Sequence, residues 1–123
     1  MKLFLLIAGI FAVFAVSTVH ADDEKYVRVV NSMGEAVEVT ANCASGDDKI
    51  ETKVLKDRED FDFKFKPNFV GNTLFYCDVK TNDGKSKRWD VYTGNEDSKN
   101  WYLRGDGIYT GGADGGNLEK KHY

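Results

Sequence analysis

The chain has 123 residues, 41% of them hydrophobic, and a formal net charge of −3 at pH 7. This length suits one domain of ordinary size. A mildly acidic balance argues against a nucleic-acid partner, which needs a basic face. Only two histidines are present, which argues against a histidine-based triad and against a multi-histidine zinc site. We therefore expect that the protein is not an enzyme and that it binds no metal and no cofactor.

The first residues predict a secretory signal peptide. Lys2 gives a positive start, residues 3–16 are apolar or small, and Val19 and Ala21 place small residues at the −3 and −1 positions of a cleavage site. A retained membrane anchor is the alternative, but this apolar run is short against the roughly 20 residues of a membrane span. We expect removal of residues 1–21, no membrane insertion afterwards and a secreted, extracellular monomer.

After the predicted leader, hydrophobic residues recur at every second position, which is the pattern of half-buried β-strands. Phe61, Phe63 and Phe65 form the clearest run, because charged residues separate them. Similar runs occur in residues 26–31, 37–43, 74–80, 88–92, 101–103 and around 108. Trp89 and Trp101 are in phase with their apolar neighbours and are expected in the core. Tyr92 and Tyr102 are out of phase and are expected to be exposed.

Turn-forming residues separate these runs. Asp83-Gly84 lies between two alternating stretches and predicts a tight hairpin whose central residues adopt positive φ. Strands at regular 8–12-residue spacing, with turns between them, predict a β-sandwich or barrel. Lys85, Lys87 and Arg88 are flanked by acidic residues, and we interpret them as a solvated hairpin edge rather than a binding patch.

Cys43 and Cys77 are the only cysteines, and in an oxidising exterior we expect them to form one disulfide. Each is in phase with core residues of its predicted strand, so both sulfurs point inward. The bond can join facing sheets where they approach locally, or adjacent strands of one sheet. Closing a loop of this length contributes on the order of 3–4 kcal/mol.

The alternation stops at residue 111. Four glycines fall within residues 111–116, and residues 117–123 are mostly polar. We therefore predict a β-domain over residues 22–110 and a glycine-rich disordered tail over residues 111–123.

Acidic residues suggest two kinds of chemistry, and neither has the expected spacing. Calcium loops need several close carboxylates, but Asp47-Asp48 is followed only by dispersed acidic residues at 57–62. Glycoside hydrolysis needs a pair of carboxylates, and no pair is marked as buried. We interpret both groups as solvated surface.

Six motifs follow one another in residues 26–110: Val27-Arg28-Val29-Val30-Asn31, Asn42-Cys43-Ala44-Ser45-Gly46-Asp47-Asp48, Phe61-Asp62-Phe63-Lys64-Phe65, Gly71-Asn72-Thr73-Leu74-Phe75-Tyr76-Cys77, Trp89-Asp90-Val91-Tyr92 and Trp101-Tyr102-Leu103 leading to Asp106-Gly107-Ile108-Tyr109. In this order they resemble the plant self-incompatibility protein family, the S-protein homologues. The resemblance implies an all-β fold, a small antiparallel β-sandwich of about seven to eight strands. It also implies a secreted ligand for a membrane receptor, more firmly than a role in self-incompatibility itself.

One feature departs from the family. Its members typically carry a second cysteine pair around the last strands, and residues 94–101 contain no cysteine here. We therefore expect the loop of residues 94–100 to be looser than in typical members.

Two function classes follow. The first is a secreted, non-enzymatic signalling ligand that binds a cell-surface receptor protein through loops, since loops on a rigid scaffold can vary without disturbing the core. Its candidate binding residues lie in segments 45–49 and 94–100, and they are Asp47, Asp48, Asn95, Glu96, Asp97 and Lys99. The alternative is a secreted carbohydrate-binding or glycan-hydrolysing domain that uses Tyr92, Tyr102 and nearby carboxylates.

Overall fold

The computed structural model describes residues 24–67, 71 and 73–122; the predicted signal peptide lies outside these ranges. The described residues form nine strands and no helix: β1 (Lys25–Asn31), β2 (Val39–Ala44), β3 (Lys53–Leu55), β4 (Asp60–Phe65), β5 (Leu74–Thr81), β6 (Ser86–Thr93), β7 (Lys99–Arg104), β8 (Gly107–Thr110) and β9 (Glu119–His122).

The strands form two sheets. One sheet has the order β4-β1-β7-β8-β9 and the other has the order β3-β2-β5-β6. Every strand pair is antiparallel except β1 and β7, which run parallel, with Val29 opposite Trp101. The prediction of an all-β fold with one disulfide is confirmed.

The core lies between the sheets and is built from the alternating residues of each strand. Val27 and Val29 of β1 are fully buried, as are Val39 and Ala41 of β2. The rings of Phe63 and Phe75 lie 5.1 Å apart, centre to centre. Full burial of each such side chain contributes about 1.5–3 kcal/mol, so the period-two pattern accounts for the main stabilising term.

The disulfide joins neighbouring strands of one sheet. Cys43 of β2 and Cys77 of β5 are direct register partners, with a Cα–Cα distance of 4.0 Å. Both are buried in the core. The structure thus decides between the two placements that the sequence left open.

The hairpin between β5 and β6 is longer than predicted. Residues 82–85 connect the strands, and the Thr81 amide donates to the Lys85 carbonyl at 2.9 Å. Of its central residues, Gly84 has a positive φ of 96°, whereas Asp83 does not. The expectation of positive φ at both was wrong, because a four-residue loop needs the left-handed conformation only once.

The predicted disordered tail was also wrong for residues 111–122. Residues 111–118 form a turn in which the Gly112 amide donates to the Gly116 carbonyl at 2.9 Å. The chain then reverses and β9 pairs with the edge of β8, with Tyr109 opposite Lys120. The glycines permit a close turn, and a short polar strand suits the edge of a sheet.

Candidate functional site

The two loops predicted to bind a partner emerge at the same end of the sandwich. β2 ends at Ala44, which is opposite Tyr76, and β6 ends at Thr93, which is opposite Leu74. The following loops therefore leave the sheet on either side of the start of β5. We call residues 45–52 and 94–98 together the loop end.

The first loop is a tight turn that displays two carboxylates. The hydroxyl of Ser45 accepts hydrogen bonds from the backbone amides of Asp47 (3.3 Å) and Asp48 (3.0 Å). The Ser45 amide in turn donates to the Asp48 carbonyl at 2.8 Å. Both aspartates are exposed, and within the described ranges neither carboxylate forms an ion pair. Backbone bonds hold the turn, so these carboxylates remain available to a partner.

Glu96 organises the second loop. Its carboxylate accepts a hydrogen bond from the Thr93 amide at 3.2 Å, and its carbonyl accepts one from the hydroxyl of Tyr92 at 2.5 Å. Gly94, at φ 66°, donates its amide to the Thr73 carbonyl at 2.8 Å. The loop predicted to be loose is thus anchored by hydrogen bonds at Gly94 and Glu96. The alternation of apolar and polar residues cannot reveal this role of Glu96, because the role depends on the local turn.

The remaining candidates of this loop differ in exposure. Asn95 is exposed, and the side chain of Asp97 is fully exposed, with its carboxylate 3.8 Å from the Lys25 ammonium. Lys99 is the first residue of β7, is half-buried, and lies 3.9 Å from the Glu96 carboxylate. Asp97 is therefore the most accessible charge of the loop, and Lys99 belongs to the sheet.

A groove of about 700 Å³ lies beside the first loop. Its walls include Asp47 and Asp48 on one side and Lys64 and Lys66 on the other, with Leu74 in the lining. Leu74 is 44% exposed and is one of two exposed large hydrophobic residues in the described part of the chain. The groove thus combines charges of both signs with one exposed apolar side chain.

The expectation that Tyr92 is exposed was wrong. Tyr92 is 1% exposed, and its ring meets Phe65 edge-on at 4.8 Å between centres. The β5–β6 register shifts between Phe75 and Tyr76, so Val91 is an extra residue on β6 and both Val91 and Tyr92 face the core. Burial raises the pKa of Tyr92, and the nearby Glu96 and Asp97 charges raise it further.

Tyr102 was likewise predicted to be exposed and is 6% exposed. It lies on the outer face of β7, and its hydroxyl donates to the Gly112 carbonyl at 2.5 Å. The Arg28 guanidinium donates to the Tyr102 hydroxyl at 3.3 Å and to the Ala113 carbonyl at 3.2 Å. The segment mistaken for a tail therefore covers this tyrosine, and neither tyrosine offers a free ring to a sugar.

One ion pair outside the loop end joins β1 and β4. Asp60 accepts a hydrogen bond from Arg28 at 2.5 Å, and this bond is the main reason that the pKa of Arg28 is raised. Within residues 24–67, 71 and 73–122, no group of three or more metal-ligating residues is close enough to hold an ion. The disulfide predicted from the sequence is present, and the loop residues remain the best candidates for binding.

The comparisons with known proteins identify the family of the chain. The model of the plant self-incompatibility protein S1 family matches residues 26–123. The chain belongs to this family. The match includes residues 111–123, which the sequence predicted to be a disordered tail.

Three relatives show the range of similarity. The chain is 40% identical to S-protein homolog 3 of Arabidopsis thaliana over 73 residues, 59% of this chain and 48% of that protein. It is 27% identical to S-protein homolog 29 of the same plant over 128 residues, 98% of this chain and 90% of that protein. It is 24% identical to self-incompatibility protein S1 of Papaver rhoeas over 90 residues, 68% of this chain and 65% of that protein.

The chain spans about half the length of the first of these relatives. No solved structure matches the chain.

Proposed function

We propose that this member of the S-protein family is a secreted, non-enzymatic ligand that binds a cell-surface receptor protein through the loop end. The observation that carries the proposal is the meeting of two charged loops at one end of a rigid sandwich. Their backbones are held by hydrogen bonds, while the carboxylates of Asp47, Asp48 and Asp97 point to solvent.

Secretion is supported by the predicted signal peptide and by the disulfide between Cys43 and Cys77. The described part of the chain contains no helix with the length and apolar character of a membrane span. Charged groups on exposed loops steer encounter and select partners more than they add affinity. A family of related ligands can therefore change partner by changing these loops.

The test is a comparison of cell-surface binding for wild-type protein and for a triple variant, Asp47→Asn, Asp48→Asn and Asp97→Asn. These changes remove charge and keep side-chain size, so the melting temperature should hardly change. Binding to responsive plant cells, measured with labelled protein at matched folded concentration, should fall about tenfold, since three exposed charges at about 0.5 kcal/mol each contribute about 1.5 kcal/mol.

A matched control removes three charges away from the loop end. Asp57→Asn, Asp62→Asn and Glu38→Gln change the net charge by the same amount, and all three residues lie outside the loop end. Binding by this control should equal that of wild-type protein. If both variants lose binding equally, only net charge matters and recognition through the loop end is wrong.

The sugar-binding alternative has no specific support in the structure, because Tyr92 and Tyr102 are buried. A glycan array and a hydrolase screen on the mature protein address it directly. Tight glycan binding that survives in the triple variant would favour the alternative over the ligand proposal.

A further inference from the structure

A second concave site lies at the opposite end of the sandwich. Here the β5–β6 hairpin of one sheet faces the β7–β8 turn of the other across a cleft of about 470 Å³. We call this the cleft end. Its floor is apolar and consists of buried Val79, Leu103 and Ile108, with half-buried Met33 beside them. The cleft is therefore an opening into the hydrophobic core.

Two lysines, Lys85 and Lys87, line this apolar cleft. Neither forms an ion pair with a carboxylate among the residues that the structure describes, although Lys85 interacts electrostatically with Asp83. Arg104 also borders the cleft, but its guanidinium lies 5.2 Å from the centre of the Tyr109 ring, on the outer face of the sheet. The cationic groups at the cleft are therefore the two lysines.

Lys87 occupies a position that the sequence interpretation missed. It is the register partner of Val79, so its side chain lies on the core-facing side of β6, in phase with buried Trp89. The solvated hairpin edge therefore includes one lysine at the mouth of the core. A cation placed beside apolar residues attracts an anion more strongly than one in open water.

One carboxylate also lines the cleft, and it is engaged. Asp106 accepts a hydrogen bond from the Tyr109 hydroxyl at 2.9 Å. Since the Asp106 carboxylate is bonded to Tyr109, Lys85 and Lys87 leave the mouth of the cleft positive, whereas the whole chain has a net charge of −3. This local reversal of sign marks the cleft as a site for an anion.

We propose that the cleft binds a small amphipathic anion, with an aliphatic or aromatic body on the apolar floor and a carboxylate or similar head at Lys85 and Lys87. The volume lies in the range of small-molecule sites, and an apolar lining with a few polar groups is typical of them. A flat docking surface for a protein would not need an opening into the core. This site is separate from the loop end and does not depend on the proposed receptor binding.

The probe is sodium decanoate, titrated into the secreted, disulfide-bonded protein and followed by methyl NMR. Shifts should saturate at the methyl groups of Val79, Leu103 and Ile108, with a Kd of about 1 mM or tighter for a ligand of this size. 1-Decanol and decyltrimethylammonium carry the same chain without the negative head. Both should bind about tenfold more weakly than decanoate.

Two variants test the residues. Lys87→Glu should weaken decanoate binding about tenfold, because attraction at the mouth becomes repulsion. Lys80→Glu is the matched control, since Lys80 is exposed on the same hairpin and does not line the cleft; its Kd should stay at the wild-type value. Met33→Trp should fill the cleft and abolish binding with both lysines intact. Lys85→Glu, in an exposed position, replaces Lys87→Glu if that variant does not fold.

Several results would overturn the proposal. The absence of saturable shifts, or equal affinity for decanoate and decyltrimethylammonium, means that no anion site exists. Equal weakening by the variants at positions 87 and 80 means that the head group is not held at the mouth. Tighter binding of an acidic peptide makes the cleft a protein-docking surface. Concentration-dependent broadening of the same methyl signals without ligand means that a second copy of the chain occupies the cleft.

Discussion

At the loop end, the Cys43–Cys77 bond lies two residues before the turn that displays Asp47 and Asp48. At the cleft end, the buried side-chain amide of Asn31 lies at the corresponding position. Asn31 is 0% exposed, and its side-chain nitrogen donates to the carbonyls of Val37 (2.9 Å) and Leu55 (3.0 Å). One end is thus held by a covalent bond and the other by hydrogen bonds.

This difference shows how a small domain separates stability from recognition. The disulfide and backbone bonds leave the exposed side chains of the loop end free to vary. Asn31 instead binds the backbone of the loop that supplies Met33, whose amide donates to the Asn31 side-chain oxygen at 3.0 Å. The shape of the cleft therefore depends on a buried side chain, whereas the loop end is shaped by the disulfide and by the more accessible side chains of Ser45 and Glu96.

The largest expected effect belongs to the core that both ends share. Phe63 packs between Phe65 (5.9 Å between ring centres) and Phe75 (5.1 Å). Phe63→Ala should lower the free energy of unfolding by about 3–5 kcal/mol, as for a buried aromatic residue. Lys64→Ala, on the exposed face of β4, should cost less than about 0.5 kcal/mol. Urea unfolding measures both, and equal costs would contradict the assigned strand phase.

The second effect concerns the covalent bond. Replacing Cys43 and Cys77 together by Ala should cost about 3 kcal/mol, because the unfolded chain regains the conformational freedom that the disulfide removes. Hydrogen exchange should then rise more at the Ile50 amide, which donates to the Cys43 carbonyl at 2.9 Å, than at Met33. Equal acceleration at both amides would show that the two ends are not held independently.

Asn31→Ala tests the cleft end and should cost about 2–3 kcal/mol, since it removes one buried and two partly buried hydrogen bonds. Asn95→Ala is the matched change at the exposed loop end and should cost less than about 0.5 kcal/mol. Thermal unfolding compares them. Similar costs would remove the distinction between a side chain that sets backbone shape and one that is merely displayed.

The smallest effect concerns Tyr92 under the loop end. Tyr92→Phe should cost about 1 kcal/mol, because its hydroxyl donates to the Glu96 carbonyl. Since the folded pKa of Tyr92 is raised, its contribution is fully present below about pH 10, the ordinary tyrosine value, and is lost as pH rises through the folded value. The stability of wild-type protein should therefore fall more steeply above about pH 10 than that of Tyr92→Phe. Parallel pH curves would contradict this assignment.

Much of the fold could be predicted from the sequence, because alternation reports which side of a strand faces the core. Phe61 and Phe63 are buried as predicted, as are Trp89 and Trp101. Two cysteines in the same phase predicted the disulfide, and the order of motifs predicted the family. These inferences need only local pattern and composition.

The site was less predictable, because it depends on which strands become neighbours. The two candidate loops are about fifty residues apart in sequence, and only the shared neighbour β5 brings them to one end. The cleft required Lys87 and Val79 of one sheet to meet Leu103 and Ile108 of the other.

The sequence by itself determined strand phase, fold class, the cysteine pair and the family. Tertiary structure decided the parallel pairing of β1 with β7, the bulge that buries Tyr92, and the turn over residues 111–118 that covers Tyr102. The physical reason is that alternation records only whether a residue faces a neighbouring layer. An outward residue becomes buried when a distant segment, here a glycine-rich turn, finds hydrogen-bond partners above it.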